Sequence, residues 1–152
     1  MPDTPRSRLA AAGWAIPEPY VVRSQYVPTR LHGDVLYCAG LTSPRLGRVG
    51  DEVDVEYARA AARQCALLQL AAIEQALGPL DQVASVLRLT GYVYAQPGFA
   101  QSPQVLDAAS EVFVTAFGAA GRHVRSAVAV AGLPGGASVE LEVIVTVAGA
   151  GS

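Results

Sequence analysis

The chain contains no lysine and no asparagine, so all 11 of its basic residues are arginine. Both missing amino acids have A-rich codons, and their absence beside abundant Ala, Arg, Gly and Val indicates a GC-rich genome rather than selection for arginine chemistry. The arginines are scattered along the sequence and form no stripe that could neutralise several phosphates at once. The sequence therefore argues against a nucleic-acid partner.

Charged residues and long apolar runs are also scarce. Only 16% of the residues are charged, against about 25% in typical soluble domains. No run approaches the roughly 20 apolar residues that cross a bilayer, and the N-terminal residues lack the apolar stretch of a signal peptide. We therefore expect a cytoplasmic protein with no membrane partner, part of whose surface is covered by copies of itself.

The chain has only two cysteines, Cys38 and Cys65. Each lies inside an apolar segment without the paired spacing of a zinc or thioredoxin-like site, so we predict buried free thiols. Phosphate-cradling glycine motifs, serine-elbow sequences and metal-ligand clusters are missing as well. These absences leave chemistry without a cofactor or metal, or simple ligand binding.

The length of 152 residues and the 51% hydrophobic content suit one domain. We predict a single domain over residues 1–152, with residues 1–19 as an N-terminal extension that contains a short helix at 7–12. Period-2 and β-branched runs predict strands, and apolar residues at three- and four-residue steps predict helices. The strands are expected within 26–40 and over 83–94, 124–131 and 138–147, and the helices over 54–77 and 102–118.

The predicted order of elements is β, β, α, β, α, β, β, which is typical of an α+β fold with two helices on one face of a mixed sheet. Asp54 is the expected N-cap of the first long helix, and Ser102 with Pro103 forms the expected N-cap and N1 pair of the second. One sheet face would remain bare. In a small chain, we expect such a face to be buried against other copies.

The segment around Arg125 carries the first candidate chemistry. Strand alternation places His123 and Arg125 on the same face. Small neighbours, Ala127 and Ala129, leave room for a bidentate grip on a carboxylate, although an ion pair at an edge or interface is the alternative. His123 could act as a general acid or base, but the sequence shows no evident nucleophile or orienting carboxylate beside it.

Glu140 and Glu142 alternate with apolar residues, so both carboxylates project from one face of the last strand. Glutamate is uncommon in strand interiors. Two interpretations remain open: this face is solvated, or one carboxylate lies near Arg125 and orders a water.

A longer pattern surrounds these residues. The run Gly-Arg-His-Val-Arg-Ser-Ala-Val at 121–128, followed by Leu133, Pro134 and Val-Glu-Leu-Glu at 139–142, resembles the signature of the RidA/YjgF family, also labelled endoribonuclease L-PSP. The resemblance extends over nearly the whole chain and includes residues 26–28, 33, 36–40, 61–66 and 78–80. It is closest to the longer-chain branch that carries a Gly-Arg-His-x-Arg-Ser-Ala motif.

The resemblance implies a chorismate-mutase-like α+β protomer that forms a homotrimer with three ligand clefts between subunits. It implies hydrolysis of a 2-imino or 2-enamino acid to a 2-oxo acid and ammonia, without cofactor or metal. By the same resemblance, Arg125 binds the carboxylate of a small ligand, Glu140 helps to place the attacking water, and Tyr26 lines the cleft.

Five further residues are expected to contact the substrate: Ala39, Gly40, Asp107, His123 and Ala127. Three of them depart from the better-studied deaminases. Ala39 stands in place of a Ser or Thr, Ala127 in place of a Cys, and Asp107 where many relatives have Asn.

Two other functions remain open. One is a non-catalytic trimer that binds small carboxylates as a regulator or holdase, and the other is an enzyme of secondary metabolism that acts on a different imine-like intermediate. The ribonuclease label is disfavoured, because the net charge is −2 and no acid–base pair suited to phosphodiester cleavage is evident.

Overall fold

The structure, a computed structural model, describes residues 2–149. Within this range, the helices and strands follow the predicted order, and the short helix predicted in the N-terminal extension is present. The helices are α1 (Pro5–Ala11), α2 (Val55–Leu77) and α3 (Ser102–Phe117), and the strands are β1 (Thr29–His32), β2 (Val35–Thr42), β3 (Val83–Tyr94), β4 (Val124–Val130) and β5 (Val139–Val147).

The five strands form one sheet in the order β1-β2-β5-β3-β4. β3 and β4 are parallel, whereas the other neighbouring strands are antiparallel. The helix α3 connects the parallel pair and packs on it, while α2 packs on β5 and β2 and against α3. Both long helices therefore cover one face of the sheet, which confirms the predicted α+β architecture.

The ends of α2 confirm the sequence prediction. The Asp54 carboxylate accepts a hydrogen bond from the Tyr57 backbone N–H at 2.8 Å, which caps the first turn. Gly78 follows the last helical residue with φ 85°, a conformation that glycine adopts without steric cost. The chain can therefore leave the helix abruptly at this position.

Several element ends differ from the predictions by one to a few residues, and three of the differences have a local explanation. Gln101, not Ser102, is the N-cap of α3; Ser102 is already helical, because a proline is tolerated anywhere in the first turn. α1 begins at Pro5 since Thr4 and Ser7 form a capping box. β2 continues past Gly40 to Thr42 because a bulge between Cys38 and Leu41 shifts its register and lets pairing with β5 resume.

The core lies between the sheet and the two long helices. Leu89, Leu106 and Phe113 are fully buried there. Both cysteines are buried free thiols, as predicted, and burial raises the pKa of Cys38 to about 12. Within residues 2–149, the structure contains no helix that is both long and apolar enough to span a membrane.

The other side of the sheet, here called the open face, carries no helix. Its large apolar side chains are exposed: Tyr37 by 48%, Val124 by 62% and Val128 by 45%. The bare sheet face that the element order predicted is therefore present in the protomer.

Candidate functional site

Arg125 lies on the edge strand β4, beside α3. Its Nη1 donates to Asp107 Oδ1 at 2.8 Å and to Ser110 Oγ at 3.1 Å, and its Nη2 donates to the Pro103 carbonyl oxygen at 3.4 Å. The Arg125 side chain is only 22% exposed, whereas that of Asp107 is 59% exposed. The ion pair that the sequence allowed as one alternative is thus formed, and it fixes the guanidinium from one side.

These contacts leave part of the guanidinium free. Arginine has five N–H donors, and those on Nε and one on Nη2 have no partner among the described residues. Donors on these two nitrogens can form a fork that matches a carboxylate. Arg125 also lines a cavity of about 280 Å³, here called the Arg125 cavity, together with Ser110, Val114, Arg122 and His123.

His123 is held by two polar partners. Its Nδ1 lies 2.7 Å from the Gly121 carbonyl oxygen, and its Nε2 lies 2.9 Å from Ser110 Oγ. A carbonyl can only accept, so Nδ1 carries the proton and Nε2 accepts from the Ser110 hydroxyl. Burial lowers the pKa of His123 and the Arg125 charge lowers it further, while the bond to Gly121 opposes this shift. The imidazole is therefore neutral at pH 7.

The sequence analysis missed Ser110. Asp107 and Ser110 are three residues apart on α3, and this spacing places both side chains on the same helix face. The two residues therefore reach Arg125 together. Helical spacing from Asp107 is the signal that could have identified Ser110.

Ala127 lies two residues after Arg125 on β4 and pairs with Gly91 of β3. It is partly buried against the core. Its side chain therefore lies on the helix-facing side together with Arg125, as the alternation predicted.

Glu140 lies on the open face of β5. It lines a cavity of about 100 Å³, here called the Glu140 recess, together with Tyr20, Tyr26, Gly40, Leu41, Thr42 and Pro134. A Cβ atom on Gly40 would lie 2.8 Å from Glu140 Oε2, so the glycine makes room for the carboxylate. Burial raises the pKa of Glu140, and the charge of Glu142 adds to the effect. The recess brings together three of the predicted site residues.

Glu142 occupies a separate cavity of about 460 Å³ on the open face, whose lining includes Tyr26, Ala39 and Arg88. The Tyr92 hydroxyl donates to Glu142 Oε1 at 2.9 Å, and this bond raises the pKa of Tyr92. Glu142 is therefore committed to a contact within the sheet, unlike Glu140, for which no side-chain hydrogen bond is found within residues 2–149.

Arg125 and Glu140 lie on opposite faces of the sheet. Arg125 pairs with Leu89, whose side chain faces the helices, whereas Glu140 pairs with Tyr92 on the open face. β3 also separates their strands. The interpretation that a β5 carboxylate lies near Arg125 is therefore wrong within one protomer, because strand alternation turns these side chains in opposite directions.

Both the sequence and the fold of the chain are similar to those of known proteins. The sequence model of the YjgF/chorismate mutase-like endoribonuclease family matches residues 6–140. Protein TCP17 of Trypanosoma cruzi is 41% identical over 100 residues, which is 65% of this chain and 62% of that protein. The match thus spans less than two thirds of that relative's length.

Solved structures match over more of the chain. A protein of unknown function from Agrobacterium tumefaciens is 36% identical with a TM-score of 0.87, over 95% of this chain and 93% of that one. A Shewanella oneidensis protein for which endoribonuclease activity has been suggested is 30% identical with a TM-score of 0.89, over 95% and 100%. RidA from the Antarctic bacterium Psychrobacter sp. is 25% identical with a TM-score of 0.59, over 86% and 94%.

Proposed function

The chain belongs to the YjgF/chorismate mutase-like family, and from this premise we propose that it hydrolyses 2-imino or 2-enamino acids to 2-oxo acids and ammonia. The observation that carries the proposal is the state of Arg125. Its guanidinium is anchored by three protein acceptors, yet N–H groups on Nε and Nη2 remain unpaired among the described residues, and Arg125 lines a cavity. Such a group can bind a substrate carboxylate without having to reorganise.

The proposed site lies between subunits. A ligand bound to Arg125 cannot reach Glu140 of the same protomer, because the two side chains lie on opposite faces of the sheet. A cleft that combines both groups needs Arg125 from one copy and Glu140 from a neighbour. Exposed apolar side chains on the open face support the burial of that face in a homotrimer.

The proposed reaction needs few groups from the protein. An imine carbon is electrophilic, so the site mainly orients the carboxylate and a water. Glu140 accepts a proton from the water while the water oxygen bonds to C2. The C=N π electrons move to the nitrogen, which takes up this proton and then the proton of the new hydroxyl as C2–O becomes a carbonyl. The C–N bond breaks, ammonia leaves and the 2-oxo acid remains. Because burial raises the pKa of Glu140, its carboxylate is a stronger base than an exposed glutamate.

The test is ammonia release from 2-imino acids generated in the assay by an amino-acid oxidase. We expect the wild type to accelerate release and the Arg125→Ala variant to lose the acceleration. Arg6→Ala is a matched control, because Arg6 is an exposed arginine that pairs with Glu74, and neither residue lines the Arg125 cavity. Equal rates for Arg125→Ala and the wild type would contradict the proposal.

One outcome would favour the non-catalytic alternative. At two positions where the studied deaminases carry polar side chains, Ala39 and Ala127 offer only methyl groups. If the wild type binds a 2-oxo acid in calorimetry through Arg125 but releases no ammonia, the protein is a carboxylate-binding member of the family.

A further inference from the structure

Ser110 and His123 form a hydrogen-bonded pair at the Arg125 cavity, and the proposed deamination assigns no bond-making or proton-transfer step to either residue. Ser110 Oγ lies 2.9 Å from His123 Nε2, and His123 Nδ1 lies 2.7 Å from the Gly121 carbonyl oxygen. Both side chains line the cavity. A hydroxyl, a base within hydrogen-bond reach and a third group that orients the base are the parts of an activated nucleophile.

The direction of the hydrogen bonds suits this role. The Gly121 carbonyl fixes the proton on Nδ1, so the Nε2 lone pair faces the Ser110 hydroxyl. Gly121 thereby takes the place that a carboxylate has in the serine–histidine–aspartate arrangement. The Phe113 ring meets the imidazole edge-on with a centroid distance of 6.0 Å, which further fixes the ring.

Two arginines, Arg122 and Arg125, line the cavity together with Ser110, and Arg125 is also paired with Asp107. Arg125 Nη1 donates to Ser110 Oγ at 3.1 Å and would stabilise the oxygen as it loses its proton. Arg122 lines the same cavity, and its side chain has no hydrogen bond or ion pair within residues 2–149. N–H groups of Arg122 and the unpaired groups of Arg125 can stabilise negative charge that develops on a carbonyl oxygen.

We propose that Ser110 is a covalent nucleophile toward small carboxylic esters, with His123 as its general base. Ser110 Oγ bonds to the carbonyl carbon, its proton passes to His123 Nε2, and the C–O bond to the leaving alcohol breaks as the proton returns to that oxygen. Water, activated by His123, then releases the acid and restores Ser110. The cavity of about 280 Å³ is near the lower end of ligand pockets, so the acyl group is small.

The test uses p-nitrophenyl acetate and the intact protein. The sequence has no lysine, so the common side-chain target of chemical acetylation is missing. We expect the wild type to release p-nitrophenol above the buffer rate and to carry an acetyl group on Ser110 after rapid acid quenching, as located by peptide mass spectrometry. Ser110→Ala should show neither effect, and His123→Gln should slow release by about 100-fold or more.

Ser126→Ala is the matched control, because Ser126 lies one position beyond Arg125 on the opposite face of β4 and its Oγ accepts from Arg88 Nη2 at 2.7 Å. It should react like the wild type. The proposal is overturned if the wild type releases no p-nitrophenol above buffer, if Ser110→Ala releases it at the wild-type rate, or if the acetyl group lies on another residue. These results are independent of ammonia release, so the two proposals can fail separately.

Discussion

Arg125 is held by protein acceptors and still has N–H groups without a partner among the described residues. Three acceptors, Asp107, Ser110 and the Pro103 carbonyl, occupy part of its donor set. A fully exposed arginine would lose rotamer freedom when it binds a carboxylate, at a cost of about 1 to 2 kcal/mol. At Arg125 the protein contacts already restrict the side chain, so the carboxylate binding that we propose would lose less rotamer freedom there.

The first prediction concerns the shape of this group. Arg125→Lys keeps the charge but removes the planar fork, so we expect most of the deaminase activity to be lost. Each lost charge-assisted hydrogen bond is worth about 1.5 to 3 kcal/mol, or roughly ten- to a hundred-fold in kcat/KM. Steady-state ammonia release measures the effect. Full activity in the lysine variant would exclude the bidentate grip.

The second prediction separates the two glutamates of β5. Glu140→Gln keeps the size of the side chain but removes the base, so we expect slower hydrolysis with the oligomer intact. Glu142→Gln should change the rate at pH 7 little, because Glu142 already accepts from Tyr92 at 2.9 Å. Parallel measurement of kcat for the two variants checks this. Equal losses would mean that Glu140 has no special role.

The third prediction concerns the acid limb of the pH–rate profile, the range in which activity falls as the pH is lowered. The pKa of Glu140 is raised above its ordinary value of 4.5, first by burial and then by Glu142. As the pH is lowered, activity that needs the ionised carboxylate should therefore begin to fall while the pH is still above 4.5. In Glu142→Gln, the neighbouring charge is gone, so the limb should move to lower pH. A limb that moves to higher pH in this variant would contradict the assignment.

At the scale of elements, the contact between α3 and β3 positions the site. Gly91 of β3 lies under α3, and a Cβ atom there would come within 2.2 Å of Leu106 Cδ1. Because Gly91 has no side chain, α3 can pack directly against the sheet. Asp107 and Ser110 are carried by the same helix, so this contact sets the height of both above Arg125.

The fourth prediction follows from this packing. Gly91→Ala should lower the free energy of unfolding by about 1 to 3 kcal/mol, because the added methyl overpacks a filled core. Gly132→Ala is the control, since a Cβ atom there meets nothing within 4 Å. Urea denaturation followed by circular dichroism gives both values. Similar unfolding midpoints for the two variants would show that α3 moves to accommodate the methyl.

At the scale of the whole molecule, the protomer is incomplete in two respects. Its open face exposes large apolar side chains, and its Arg125 and Glu140 face opposite sides of the sheet. Association of copies would bury the open face and would also bring Arg125 of one copy near Glu140 of another. The homotrimer that we propose would address both features, the location of the site and the bare face.

The fifth prediction tests the shared cleft. Light scattering should report three protomers per particle, and both variants should be trimers, Arg125→Ala without activity and Glu140→Gln with slowed hydrolysis. After the two variants are unfolded together and refolded as a mixture, about a quarter of the clefts should combine an intact Arg125 with an intact Glu140. Ammonia release should then return in the mixture. A mixture as inactive as its components, or a monomeric wild type, would contradict the intersubunit site.

The elements and their order could be predicted from local patterns in the sequence. Helical spacing, β-branched runs and glycine or proline stops act over only a few residues. It also determined which face of its strand each candidate occupies: His123 with Arg125, and Glu140 with Glu142. The family resemblance on residues 121–128 supplied the fold that the structure confirms. These properties depend on local geometry, which a linear sequence carries.

Which of these faces contact each other can be seen only in the folded chain. The helix-facing position of Arg125, the open-face position of Glu140 and the pairing of Ser110 with His123 depend on strand order and helix packing. The same holds for the Glu140 carboxylate beside Gly40, which needs two strands to pair across a bulge. These contacts join residues that are distant in sequence, and the alternation of side chains along one strand contains no information about what lies across from it.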